Sequence, residues 1–164
     1  MKSYPQISVI IPVYNAEKYI EKCVRSLFEQ TFDSIEYIFV DDCSCDRSIE
    51  IVQSILTEFP ERAENTTIIA QKNNQGVAVA RNIGLSKARG QYVMFCDSDD
   101  WLDLCMLEKM YNTIKSKDAD VAMCDFYMVF KDKKNLFQMP VWHSNNKILS
   151  LRKYIQFLSF ASKV

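Results

Sequence analysis

Several landmarks of common protein chemistries are missing from this sequence. No apolar run approaches the roughly 20 residues needed to cross a bilayer, so no transmembrane segment is expected. Residues 1–6 carry no apolar core followed by a small-residue cleavage site, so they do not read as a secretory leader. No CxxC pair occurs among the six cysteines, which argues against a zinc site. No GxxxxGK[ST] cradle is present for phosphates, and no GxGxxG follows the first strand, which removes the P-loop and dinucleotide fingerprints. A basic excess is missing too: the net charge is −1, which argues against nucleic acid as a partner. There is no internal repeat and no low-complexity linker.

What is present is a globular composition, 48% hydrophobic over 164 residues, enough for one domain with a true core. Most cysteines lie inside apolar segments, where a free thiol packs as a small hydrophobe. Cys43 and Cys45 are too close in sequence for an easy disulfide. A reducing, cytoplasmic compartment fits this usage.

The apolar pattern alternates between two periods. Residues 7–13, 35–40, 66–70 and 91–96 read as short strands, the first two buried on both faces. Tyr19, Ile20, Cys23, Val24, Leu27 and Phe28 recur at helical spacing, with Asn15 as a candidate cap. Ile49, Val52, Ile55, Leu56 and Phe59 form a second helical face, capped by Ser44 or Asp46 and stopped by Pro60. A third helix is expected over 76–88, with Gly90 just past its end as a left-handed residue. A fourth spans about 103–117. A fifth strand is expected over 121–130, then a polar turn at 131–135 and a return strand at 136–141 as its hairpin partner. Residues 150–163 read as helical. The β-α-β-α-β-α-β-α-β order implies an α/β fold with an open, mainly parallel sheet flanked by helices.

In such sheets ligands bind at the carboxyl ends of strands, near the point where strand order reverses. Three strand ends carry informative residues. The first ends in Pro12-Val13-Tyr14-Asn15 and the second in Asp41-Asp42. The fourth ends in Asp97-Ser98-Asp99-Asp100, three aspartates in four residues. Single aspartates such as Asp46, Asp103 and Asp120 are most simply caps and turns. Two dense acidic groups on one rim need a counter-charge. A divalent cation, Mn²⁺ or Mg²⁺, suits carboxylate oxygens and leaves positions open for phosphates.

Taken together, "ISVIIPVYNAEKYIEKCVRSLFEQTF", "EYIFVDDCSCD" and "NNQGVAVARNIGLSKARGQYVMFCDSDDW" resemble glycosyltransferase family 2, with its GT-A (Rossmann-like) fold. The resemblance runs in order and spacing from about residue 6 to 110. It implies an inverting glycosyltransferase using a nucleotide-sugar donor, a UDP-sugar by resemblance, and a saccharide or lipid-linked acceptor. Asp97-Ser98-Asp99 matches the family's DXD motif. That match makes Asp99 the metal ligand and puts Asp97 near both ribose and metal. Asp42 matches the acid that accepts from a ring N–H of the base, and Asp41 a loop support. Pro12, Val13 and Tyr14 match the loop around the base. Arg81 falls where the family sets a basic or polar residue near the donor; it can reach the diphosphate or pair with a rim aspartate. Gly76 and Gly84 are expected to serve close helix–sheet packing. Cys43 departs from the family, which commonly has glycine there. The expected location is the cytoplasm, including the inner face of the membrane, with polysaccharide assembly as the family-level role.

The family also needs a carboxylate base downstream of DXD. After Asp125 the only acid is Asp132, in a polar turn, so the base is expected beyond Val164. On this reading 1–117 is the donor-binding core and 118–164 the start of an acceptor side. Such a chain binds donor and metal but transfers sugar poorly on its own. The apolar 150–163 segment then packs against further polypeptide. Trp142 and His143 read as a strand-end pair or an acceptor platform. A non-catalytic nucleotide-sugar or glycan-binding module is the alternative. Receiver and haloacid-dehalogenase phosphotransfer domains are disfavoured, because both need acids on the first strand.

Overall fold

The computed structural model describes residues 4–130 and 133–137. The elements run β1 (Ile7–Val13), α1 (Ile20–Phe28), β2 (Ile35–Asp41), α2 (Ser48–Glu58), α3 (Pro60–Ala63), β3 (Thr66–Ala70), α4 (Val77–Lys87), β4 (Tyr92–Phe95), α5 (Met106–Ser116), β5 (Phe126–Phe130) and β6 (Lys133–Phe137). They divide into two compact units, Met1–Ala122 and Met123–Val164.

The first unit is built on a parallel sheet of order β3-β2-β1-β4. Every residue of β1 and β2 is buried, including Ser8, Glu36 and Asp41 within their otherwise apolar runs. One face of β1 carries Ile7, Val9, Ile11 and Val13 into a core shared with Cys23, Val24, Leu27 and Phe28 of α1, Val52 and Ile55 of α2, and Leu107 of α5. The other face carries Ile10, which packs with Ile38, Val40 and Ala80 under α4. Helices thus cover both faces, and the mixed α/β architecture expected from the alternation is the one observed.

Glycine lets α4 come close. A Cβ on Gly84 would overlap the Ile10 side chain. Gly90 answers the same demand at the start of β4, where a Cβ would stand 2.5 Å from the Ser8 amide nitrogen and 2.8 Å from the Ile7 carbonyl carbon. Its expected left-handed backbone is not found, since the only positive-φ glycine is Gly76. Gly76, expected to serve packing, has open space around it and a φ of 89° at the N-cap of α4.

A polar knot ties the starts of three strands. Glu36 is buried, and its Oε1 accepts from the Ser8 hydroxyl at 2.6 Å and from the Arg89 amide. Its Oε2 accepts from Arg89 Nε at 2.8 Å. Ser8 Oγ in turn accepts from the Gly90 amide at 2.7 Å. The balance of these contacts lowers the Glu36 pKa: burial pushes it up, but the Ser8 and Arg89 hydrogen bonds outweigh burial.

Several local expectations are corrected. Asn15 does not cap α1, whose N-cap is Tyr19. Pro60 does not simply end α2 but opens the short α3 at its first turn. Within α3, Arg62 is buried and donates to the carbonyls of Phe28 and Gln30, anchoring the C-terminus of α1. The fifth strand is shorter than expected and does not join the parallel sheet. It forms the expected antiparallel hairpin with the returning strand, here β6, Phe126 pairing Phe137 and Phe130 pairing Lys133. Two residues separate these strands, and so short a link permits only the antiparallel arrangement. Lys133–Phe137 therefore takes residues read as a turn. The Phe126 and Phe137 rings stack at 4.8 Å. Asp132, Trp142, His143, the rest of the 136–141 return strand and the 150–163 segment lie outside the described residues. Among the described residues, no helix is long and apolar enough to cross a membrane.

Candidate functional site

The chain runs from β1 outward to β2 and β3, then returns past β1 to β4. The reversal falls at β1, so the carboxyl ends of β1, β2 and β4 border the crevice where such sheets bind ligands. The backbone ladder runs on past the strand ends. The Asp42 amide donates to Val13 O at 2.8 Å, and the Cys96 amide to Ile10 O at 3.0 Å. Both acidic segments therefore leave the sheet from fixed positions.

On the β1 side, Pro12 and Val13 lie inside the strand, and Tyr14 is half exposed. The loop after β1 is laced to the loop after β2. Asn15 N donates to Ser44 Oγ at 3.1 Å, Cys45 N to Asn15 Oδ1 at 2.9 Å, and Ala16 N to Ser48 Oγ at 2.8 Å. Glu17 N donates to Asp46 Oδ2 at 2.9 Å, and Asp46 Oδ1 accepts from the Ser48 amide at 3.0 Å. Two residues in this lacing are left-handed, Asn15 with φ 48° and Cys43 with φ 65°. Asparagine accepts that conformation readily; cysteine does so at a cost. The position where the resemblance anticipates glycine is thus one whose backbone favours it.

Asp41 Oδ1 accepts from the Ser44 amide at 2.9 Å, the loop-support role expected of it. Asp42 is 3% exposed. Its Oδ1 accepts from Gln71 Nε2 at 2.9 Å and from the Gln75 amide at 2.7 Å, while Oδ2 accepts from the Gly76 amide at 2.7 Å. A carboxylate offers about four lone-pair directions, so one on Oδ2 is left. Asp42 therefore fixes the loop into α4 and its left-handed N-cap glycine. Sequence reasoning missed Gln71 and Gln75, because nothing in their spacing marks them as partners of a strand-end acid.

On the β4 side, Arg81 of α4 reaches Asp97, its Nη2 lying 2.6 Å from Asp97 Oδ1. Of the two roles open to Arg81, the structure takes the ion pair. Its guanidinium lies 5.8 Å from the centroid of the Phe95 ring, and its Nε is buried without a hydrogen-bond partner. The Asp97 carbonyl accepts from the Asp100 amide at 3.0 Å and from the thiols of Cys23 and Cys96 at 3.6 and 3.7 Å. The two thiols are themselves 4.0 Å apart. The hydrogen bond to Cys23 first, then burial, pushes Cys96 far up, so it packs as a protonated thiol.

Ser98 is half-buried, and Asp99 is exposed. The Asp100 carboxyl is pushed above its ordinary value by desolvation, then by the charges of Asp99 and Asp97. Trp101 follows directly, with Lys22 Nζ over its ring at 3.0 Å from the centroid. The next residues are held to α1: the Leu102 amide donates to Ser26 Oγ, and Gln30 Nε2 donates to Asp103 O at 2.7 Å. Among the described residues, no group of three or more His, Cys, Asp or Glu side chains converges on a metal position. A hollow of about 530 Å³ lined by Asn15, Glu17, Lys18, Tyr19 and Asp46 contains none of Asp42, Asp97 or Asp99.

Comparison with known proteins agrees with this arrangement. The family described as "Glycosyl transferase family 2" matches residues 8–162. Glycosyltransferase GlyG of Streptococcus pneumoniae is 37% identical over 131 residues, 80% of this chain and 42% of that protein. The crystal structure of S. aureus TarS 1-349 in complex with UDP superposes with a TM-score of 0.62 at 34% identity, over 68% of this chain and 32% of that one. The same TarS fragment is known in complex with UDP-GlcNAc. Mannosyltransferase PcManGT from Pyrobaculum calidifontis, in complex with GDP-Man and Mn²⁺, superposes with a TM-score of 0.56 at 28% identity, over 61% of this chain and 29% of that one. The chain thus spans less than half the length of these relatives. With a family match over most of its length and strand-end acids at the reversal point of a parallel sheet, the chain belongs to glycosyl transferase family 2.

Proposed function

We propose that this chain forms the donor-binding part of an inverting glycosyltransferase. Its donor is a nucleotide-sugar, a UDP-sugar, and its acceptor a hydroxyl on a saccharide or lipid-linked glycan. The reaction is placed in the cytoplasm or at the inner face of the membrane, in polysaccharide assembly. The supporting observation is that Tyr14, Asp42, Asp97 and Asp99 follow the carboxyl ends of three adjacent parallel strands, at the point where strand order reverses. The family, and the nucleotide and nucleotide-sugar complexes of its structural neighbours, point the same way.

On this reading the exposed ring of Tyr14 packs against the base, above the buried Pro12 and Val13. Asp42 accepts a base N–H with the one Oδ2 lone pair its loop contacts leave. Asp97 and Ser98 border the ribose and diphosphate. Asp99, exposed and without a hydrogen bond among the described residues, is the metal ligand, with Asp97 beside it. The donor set, carboxylate oxygens only, fits a hard cation that draws its other ligands from a diphosphate. Mn²⁺ or Mg²⁺, when bound there, supplies charge neutralisation for the leaving diphosphate. The general base lies elsewhere on this reading, because Asp41 and Asp42 are committed to amides and Asp97 and Asp99 are given to the donor and its metal.

Calorimetric titration of UDP, with and without Mn²⁺, tests the reading. Metal-dependent binding that disappears in Asp99→Asn is expected. Absence of UDP binding in both conditions overturns it.

A further inference from the structure

The Arg81–Asp97 ion pair occupies a carboxylate that the donor site needs. We propose that Arg81 is a placeholder cation. It neutralises Asp97 in the unloaded protein, then gives that carboxylate up and turns its guanidinium to the incoming diphosphate. The inference rests on the donor-site reading above.

The geometry of the pair supports exchange rather than permanence. The contact is a single hydrogen bond, Nη2 to Oδ1, and not the bidentate fork that arginine and carboxylate form at their strongest. Arg81 Nε is buried with no acceptor, which raises the energy of this side-chain position relative to one that supplies an acceptor. Solvent reaches both partners, the side chains being 33% and 47% exposed, so exchange needs no opening of the core. The Phe95 ring, 44% exposed, gives the guanidinium an apolar face beside which to turn.

The surroundings confine the change to one side chain. Asp97 is held through its carbonyl by the Asp100 amide and two thiols. The helix bearing Arg81 is held by Gly84 against Ile10 and by Asp42 at Gly76. Charge requires the exchange. A divalent cation arriving while Arg81 stays would crowd two positive centres on Asp97 and leave the diphosphate without the guanidinium. Release of Arg81 spreads the positive charge over both.

The test compares wild type with Arg81→Met, which keeps the bulk and removes the charge. Mn²⁺ binding is measured by electron paramagnetic resonance, first alone and then with saturating UDP. The expected effects have opposite signs. Arg81→Met tightens Mn²⁺ alone about three- to tenfold, because the competitor for Asp97 is gone. It weakens UDP in the presence of Mn²⁺ about tenfold, because a charge-assisted phosphate contact is lost. If wild type binds UDP with Mn²⁺ but Arg81→Met shows no gain for Mn²⁺ alone, the placeholder role is overturned while the donor site stands. If wild type binds neither ligand, the donor-site reading falls and this inference with it. A second measurement uses wild type alone. The ¹⁵N-detected Arg81 Nε–H signal, assigned by its loss in Arg81→Lys, should shift when UDP and Mg²⁺ are added and the orphan donor gains an acceptor. An unmoved signal under saturating UDP and Mg²⁺ also overturns the proposal.

Discussion

Replacing Asp42 by asparagine should destabilise the protein far more than the same change at Asp99. Asp42 accepts three hydrogen bonds, two on Oδ1 and one on Oδ2, at 2.7 to 2.9 Å. Asparagine keeps one oxygen. Placed at the Oδ1 position it retains two bonds, each weakened from charge-assisted to neutral by about 1 kcal/mol. Its amide group then meets the Gly76 N–H donor to donor, which strands a donor at about 1–3 kcal/mol. Relief from burying a charge offsets part of this, so the net loss is about 2–4 kcal/mol. With a mid-range urea slope of about 2 kcal/mol per molar, the unfolding midpoint should fall by roughly 1–2 M. The Gln75 and Gly76 amides should also exchange with deuterium faster than their neighbours. Asp99→Asn, on an exposed side chain, should stay within about 0.5 kcal/mol of wild type. Equal midpoints for wild type and Asp42→Asn would refute the assignment of Asp42 as the anchor of the 71–76 loop.

Two other outcomes follow from local geometry. Cys43→Gly should raise the thermal midpoint by about 2 °C: removing a left-handed side chain returns about 1–2 kcal/mol, and glycine's unfolded freedom takes back about 0.5–1; a lower midpoint in a melting curve would contradict this. Glu36→Gln should lower stability at neutral pH and flatten the acid limb. The Glu36 pKa is depressed below its ordinary 4.5 in the folded chain, so its contribution is complete above that value and is lost as pH falls through it towards the folded pKa. Urea midpoints taken from pH 7 to pH 3 check it, and parallel curves for the two proteins would count against the knot at Ser8, Glu36 and Arg89.

The parallel core was readable because burial on both faces writes itself into sequence as predominantly apolar runs, as in β1 and β2. The candidate site was readable for a related reason. Charge placed directly after such a run has to stand at a strand end, as at Asp41-Asp42 and at residues 97–100. Capping was harder to read. Several polar residues near a helix start compete for the same amides, and Asn15 bonds Cys45 instead of capping α1. The extent of the hairpin turn was harder still, since the polar residues Lys133, Lys134 and Asn135 read as turn yet pair with β5. Gly76 and Gly90 were recognised as special, but their reasons were interchanged. The left-handed backbone belongs to the first and the close approach to the second. The Arg81–Asp97 pair stood as one of two options until tertiary geometry brought α4 beside β4.

The strand order β3-β2-β1-β4 also has a consequence during synthesis. A ribosome releases β1, β2 and β3 well before β4, so the nascent chain holds a three-stranded sheet whose open edge is β1, apolar except for Ser8. Through that interval Glu36 is without Arg89, and nothing covers the edge beside Ser8. The strand that ends this exposure is the one that carries Asp97 and Asp99 on its far end. Closure of the sheet and delivery of the acids are therefore one event. A chain that has not finished folding lacks the strand-end acids of β4, and chains stalled before residue 92 should be the aggregation-prone clients of co-translational chaperones.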